Sequence, residues 1–367
     1  MSPGTASPHR RGYLDWLRGA GVLIMIEGHT LDSWTRVEDR TREGYQWAIQ
    51  LAGLGAPLFL FLAGVAIALA AGSRARKGMS PQAIVRTAVK RGAWIFALAF
   101  LFRLQSWIIS GGPFPGSLLK VDILNVMGLS MMGAALLWAV AGGRVRRAAV
   151  YLAATVVIAM ATPIVRGADV LAVLPDPLEW YLRPSAGATT FTLLPWSGFL
   201  LAGTAIGCWL DPQRTPSREA RVVLTLTLLG LVVAGAGYGT SYLPSIYENS
   251  SFWTSSPTFF FLRLGLVVAS LGLGYGAARL WGGRLVEEFG RASLFVYWIH
   301  VEMVYGVLSL PLHRRLPLEG TLAAMTLFAV LLFAIVRLRD RFAGRGRLPE
   351  RRNPDERPLR PAESHVP

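Results

Sequence analysis

Long apolar runs dominate this chain, and they lack the one-sided polar stripe that a soluble helix keeps. Ala52–Ala71, Met131–Ala141 and Val222–Ala236 are apolar almost all round. About 20 such residues in a row cross a bilayer as a helix. Gly, Pro and charged residues punctuate the runs and predict ten spans. These are Leu14–Leu31, Tyr45–Ala71, Gly92–Ser110, Asp122–Ala141, Ala148–Val165, Thr190–Leu210, Val222–Thr240, Pro257–Leu280, Ala292–Leu310 and Gly320–Leu338. The expected fold is all-α, a polytopic membrane helix bundle of about ten transmembrane helices. Around it the pattern predicts a cytoplasmic N-terminal segment (1–13), a membrane domain (14–338) and a disordered basic tail (339–367) rich in Arg, Pro and Glu.

Charge refines this picture. A net charge of +15 in 367 residues points to nucleic acid when a protein is soluble. Here the excess falls on alternate connections: Arg10/Arg11, Arg74 to Arg91, Arg144 to Arg147, Arg214 to Arg221, Arg284/Arg291 and the tail from Arg337. The intervening connections are poorer, as where Glu38, Asp39 and Glu43 offset Arg36, Arg40 and Arg42. That alternation is the positive-inside pattern, and it puts both termini in the cytoplasm of a multi-pass cell-membrane protein. Nucleic acid is set aside as a partner. A basic inner face suits membrane lipid heads or a phosphorylated cytoplasmic ligand instead. The first span carries Glu27 and His29 and has no small-residue cleavage site after it, so it reads as a retained helix, not a removed signal. Cys208, the single cysteine, cannot form an intrachain disulfide.

Polar residues at membrane depth are the candidate chemistry. Ten residues separate Arg18 from His29. Eleven helical steps of ~100° return to nearly the same face and climb about 16 Å. Asp15 lies one turn before Arg18 and Asp32 one turn after His29, so four ionisable groups share one stripe. With the topology fixed, Arg103 and Gln105 on the third span, Asp122 and Asn125 on the fourth, Arg263 on the eighth, and His300 and Glu302 on the ninth all fall in the middle or outer half of the bilayer. As structural glue, Arg103 or Arg263 would pair with Asp122 or Glu302. As function, these groups would line a water-accessible cavity, because ionisable groups at depth rarely face lipid. His29 is then the candidate general base, with Asp32 or Glu302 orienting its other ring nitrogen. Arg103 or Arg263 is the candidate donor to a developing oxyanion. His29, His300 and a carboxylate lack tight ligand spacing, so no metal is expected. Two further features bear on the site: Pro57 should kink the second span, and the long loop Arg166–Ala188, with Trp180 and Tyr181, should cap an outer cavity.

Four stretches together carry a resemblance. Leu14-Asp15-Trp16-Leu17-Arg18-Gly19, followed at a fixed distance by His29, resembles the first-helix signature of transmembrane acyltransferases. Ala56–Gly64, Val121–Leu124 and Phe289–His300 follow in the family's order. Within that superfamily the chain is most similar to bacterial relatives of the heparan-α-glucosaminide N-acetyltransferase catalytic domain. The loop Thr30–Tyr45 has no histidine, and His29 fits the Arg-then-His pattern of the related acyltransferase-3 branch. The resemblance implies an integral membrane enzyme that takes an acyl group, acetyl in the animal enzymes, from cytoplasmic acyl-CoA. It implies delivery to a glycan or lipid-linked acceptor, through a sugar amine or hydroxyl, at the outer face. Asp15, Arg18, Arg103, Asp122, Asn125 and Arg263 would then serve donor and substrate binding, and His29, Asp32, Glu302 and His300 the chemistry.

Another class remains in view, a transporter of an anionic or acyl-bearing solute. It predicts broken helices at matched positions of two halves, and the sequence shows no such repeat. A silent lipid-binding scaffold would account for the spans but not for the gathering of His and Arg in one leaflet.

Overall fold

The computed structural model describes residues 11–111, 113–213, 215–280 and 283–345. The predicted N-terminal segment and basic tail lie almost wholly outside the described residues. Fourteen α-helices run in order: α1 (Gly12–Trp34), α2 (Glu43–Ala52), α3 (Gly55–Arg76), α4 (Pro81–Ser110), α5 (Gly116–Leu119), α6 (Ile123–Val140), α7 (Arg144–Arg166), α8 (Asp176–Glu179), α9 (Leu193–Leu210), α10 (Pro216–Thr240), α11 (Pro257–Ala277), α12 (Gly283–Arg291), α13 (Ser293–Tyr305) and α14 (Leu318–Arg345). Among the described residues the only β pairing is two isolated bridges, Thr35 to Leu316 and Val121 to Thr189.

Among the described residues eight helical segments are long and apolar enough to cross a membrane, α2 and α3 counting together as one. Two further segments would bring the number to the predicted ten. One is α1, long enough at 23 residues but carrying Asp15, Arg18, Glu27 and Asp32. The other is α12 with α13. Alone, the 13 residues of α13 rise only ~20 Å against a hydrocarbon core of ~30 Å. The Ala292 amide bonds back to the carbonyls of Glu288 and Phe289, and Val296 bonds to the Ala292 carbonyl, so the two helices join as one bent segment. Charged residues on α12 hide its half of this segment from a hydropathy reading.

The predicted second span is likewise divided. Pro57 has no N–H to give the Gly53 carbonyl, and the helix breaks at Gly53-Leu54, one turn before it. Pro57 itself then sits in the first turn of α3, where the missing donor costs little.

Side-chain ties hold each end of the bundle together. At one end Arg11 bonds Glu219 (2.6 Å) and the Leu210 carbonyl (2.8 Å), Arg76 pairs with Asp211 (2.5 Å), and Arg337 pairs with Glu288 (2.9 Å). This basic end collects the Arg-rich connections. At the far end Arg42 meets Glu319 (2.6 Å), and Asp39 accepts from Arg36 (3.0 Å) and from the Leu318 amide (2.9 Å). Arg36 holds the Asp39 carboxyl below the usual carboxylate range, with the Leu318 N–H adding to the effect.

Small residues let the helices close on one another. A Cβ at Gly64 of α3 would run into the Leu200 carbonyl of α9, and one at Gly290 of α12 into the Asp15 carbonyl of α1. The main core joins α1, α3, α4, α6, α7, α9, α10 and α11 around Phe61, Phe199, Tyr151 and Leu271. A second cluster, with Val22, Ile26, Trp34, Val296, Phe328 and Leu332, seats α1 against α12 to α14. The cavity opens between α1, α3, α4, α6 and α13.

Candidate active site

One cavity of about 1410 Å³ reaches from the basic end, at Arg74, Arg91 and Arg291, to the far end at Asp32, Tyr305 and Trp253. The wall given by α1 is the stripe anticipated from the helical period: Asp15, Arg18, Met25, His29 and Asp32 all line it. Arg103, Asp122, Arg263 and Glu302 line it as well. His300 and Asn125 do not, and each stands behind a residue that does.

His29 and His300 make the decisive contact. His29 Nδ1 lies 2.8 Å from His300 Nε2, and the rings are nearly parallel, 4° between planes and 5.0 Å between centroids. His300 is fully buried, and its Nδ1 sits 2.8 Å from the Val296 carbonyl oxygen. A carbonyl only accepts, so His300 Nδ1 carries a proton. In the neutral ring His300 Nε2 is then bare and accepts from His29 Nδ1–H. The proton order is fixed along the chain Val296, His300, His29, and it leaves His29 Nε2 with an unshared lone pair. Tyr305 stacks edge-on against His29 at 5.4 Å and gives its hydroxyl proton to Asp32 at 3.0 Å.

This differs from the expectation that Asp32 or Glu302 orients His29. Asp32 is turned to the far end, toward Tyr305 and Arg40 (3.8 Å). Glu302 faces the cavity across from Ser106, and its buried Oε1 has no hydrogen-bond partner among the described residues. The imidazole of His300 stands where a carboxylate was expected.

The arginines divide by role. Arg103 pairs with Asp122 at 2.9 Å, tying α4 to α6. Asp122 also caps α6 in a box with Asn125, whose carbonyl oxygen accepts from the Asp122 amide (3.0 Å). Asn125 then donates to the Tyr181 hydroxyl (3.2 Å), which anchors the long Arg166–Ala188 loop across the far end. Asn125 is thus a packing and capping residue. Arg18 pairs with Asp15 at 2.9 Å near the basic end, where Arg74 and Arg91 have no carboxylate partner among the described residues. Arg263 lies over the Phe259 ring at 4.2 Å and near Trp196 at 6.0 Å, with no ion pair among the described residues.

Sequence reading overlooked Tyr297, Tyr305 and Ser106. The tyrosines had a signal, because Leu294, Tyr297, Val301 and Tyr305 recur at three or four residues and all face the cavity.

Comparison with protein families matches residues 10–236 to the family described as heparan-alpha-glucosaminide N-acetyltransferase, catalytic. The chain belongs to this family. The match covers α1 through most of α10, and so includes Asp15, Arg18, His29, Arg103 and Asp122. Arg263, His300 and Glu302 lie beyond it. No curated protein gives a match. Family and fold together make the chain a multi-pass membrane protein of an acetyltransferase family.

Proposed function

We propose that the protein takes an acetyl group from cytoplasmic acetyl-CoA at the basic end and passes it to a sugar amine or hydroxyl at the outer, far end. The observation that carries this reading is the single cavity that joins the two ends and passes the bare Nε2 of His29. Both termini are then cytoplasmic, in the cell membrane, and the acceptor is a glycan or a lipid-linked sugar.

The donor's phosphates meet Arg74, Arg91 and Arg291, with Arg18 one level deeper. From Arg18 the rise along α1 to His29 is about 16 Å, within reach of an extended thioester arm on the order of 15–20 Å. The acceptor enters from the far mouth. Its nitrogen or oxygen attacks the thioester carbonyl while His29 Nε2 takes its proton. The new C–N or C–O bond forms as the C–S bond breaks, and the thiolate leaves with a proton returned from His29. The imidazolium that forms in between is steadied because His29 Nδ1–H already donates to His300.

The test uses purified full-length protein in detergent with acetyl-CoA and glucosamine, reading free thiol and the mass of acetylated sugar. Thiol release that depends on His29 and yields acetylated product is expected. A folded protein that neither consumes the thioester nor crosslinks to a photoreactive acyl-CoA overturns the reading.

A further inference from the structure

Beside the far mouth lies a second, smaller chamber of about 200 Å³ that shares Thr190, Trp196, Trp253 and Arg263 with the main cavity. Two guanidinium groups, Arg166 and Arg263, line it, and no acidic side chain does.

Arg166 is fixed in place. At the C-terminal end of α7, where the helix dipole favours a cation, it donates to the Thr254 carbonyl (2.8 Å), the Thr192 hydroxyl (2.8 Å) and the Leu194 carbonyl (3.1 Å). All those partners are neutral. Its Nε, shielded from solvent, has no partner among the described residues. Arg263 is aimed by its neighbours but not satisfied by them. Its plane rests on Phe259 at 4.2 Å, and none of its N–H groups makes a hydrogen bond among the described residues. Aromatic faces hold a guanidinium in position and leave its in-plane donors open. Two like charges around so small a space repel each other, and charge at membrane depth is costly without a counter-charge.

We infer that this chamber is an anion subsite, taking a carboxylate, sulfate or phosphate carried by the acceptor and gripped by Arg263. Resting on the acyl-transfer reading above, this makes the protein selective for negatively charged acceptors. The sugar's charged substituent sits in the side chamber while its amine or hydroxyl points into the main cavity. Gly53, against which Arg263 packs, follows Ala52, and Ala52 touches Gly28 beside His29, so the subsite is a near neighbour of the reacting centre.

Two measurements test it. In the first, kcat/KM is compared for glucosamine and for glucosamine 6-phosphate and 6-sulfate, in wild type, Arg263→Gln and Arg263→Lys. Wild type should favour the charged sugars by about tenfold or more, the scale of a charge-assisted contact. That ratio should fall toward one in Arg263→Gln and be partly kept in Arg263→Lys. A wild type without preference, or a ratio that survives Arg263→Gln, overturns the subsite. The second measurement needs no turnover: inorganic phosphate and sulfate are titrated against the thermal midpoint of wild type and Arg263→Lys. Stabilisation of wild type that weakens in the variant supports the subsite even where no acyl transfer is detected, and its absence in wild type overturns it. Repeating the titration with phosphatidylglycerol added separates the sources. Loss of the phosphate response together with loss of acceptor preference assigns the chamber to a lipid head, against the proposal.

Discussion

His29 and His300 come from opposite ends of the chain and share a single proton across 2.8 Å. The Val296 carbonyl fixes which nitrogen of His300 is protonated, and that fixes which nitrogen of His29 is free. A backbone oxygen thereby sets the chemistry of a ring two links away. If His29 Nε2 is the base, His29→Ala should lower turnover by at least ~100-fold in a protein that still folds. His29→Gln should be nearly as damaging, since an amide hydrogen-bonds but cannot take the proton. His300→Gln should lose less, about tenfold, because its carbonyl can still accept from His29 Nδ1–H. Turnover should also fall on acidification, because a proton captured at Nε2 removes the base. A pH–rate profile of each variant checks the set, and normal turnover in His29→Ala would refute it.

If the donor enters at the basic end as proposed, Arg18 meets it in its ground state. Arg18→Ala should therefore raise KM for acetyl-CoA more than it lowers kcat. Arg18→Lys should recover only part of the loss, because a compact ammonium cannot form a two-pronged contact. Donor saturation curves decide the point, and curves matching wild type would remove Arg18 from donor binding.

Arg103 and Asp122 hold α4 to α6 with side chains 19% and 16% exposed. Removing one partner of a fully buried pair costs ~3–5 kcal/mol, and partial access to the cavity should reduce this to about 2 kcal/mol. Arg103→Met should lower the melting temperature in detergent. Arg103→Met combined with Asp122→Asn should cost less than the two single changes added together. Additive losses would show that the pair is not coupled.

Asp39 offers a pH prediction outside the membrane spans. Its carboxyl is held below the ordinary range by Arg36, so ionised Asp39 is favoured in the folded state. The stability it contributes is complete above the unfolded carboxylate pKa of ~3.9 and is lost as pH falls through the lower folded value. The clasp between the loop after α1 and the start of α14 should loosen only in strong acid. Asp39→Asn should loosen it at neutral pH, read as faster amide exchange at Leu318.

The alternation of basic connections predicts that Lys77 lies in the cytoplasm. A cysteine placed there should react with an impermeant maleimide only in inside-out vesicles, since native Cys208 is buried. Labelling from the outside alone would reverse the whole orientation.

The α1 stripe was legible because helical geometry is local: the period alone places Asp15, Arg18, His29 and Asp32 on one face. The partner of His29 was not legible. It lies 271 residues away, and no pattern in the sequence distinguishes His300 from Glu302 two positions on. Both were candidates, and only packing decides which faces α1 and which faces the cavity. Asn125 misled for a related reason. A polar residue one turn into a span looks like cavity lining, yet the Asp122–Asn125 spacing is also that of a capping box. Span ends blurred wherever charge falls inside a pass, as at α12.

A cavity reaching both ends of a transmembrane bundle is also a potential electrical leak. Protons and sodium ions would follow any continuous water file down the membrane potential and discharge the energy the cell stores there. Arg74 and Arg91 at its basic end and Arg263 near its far mouth stand on the cavity wall with no carboxylate partner among the described residues. Fixed positive charge along a pore raises the barrier to cations while leaving it passable to neutral or anionic groups. The passage can thus admit a substrate and still insulate.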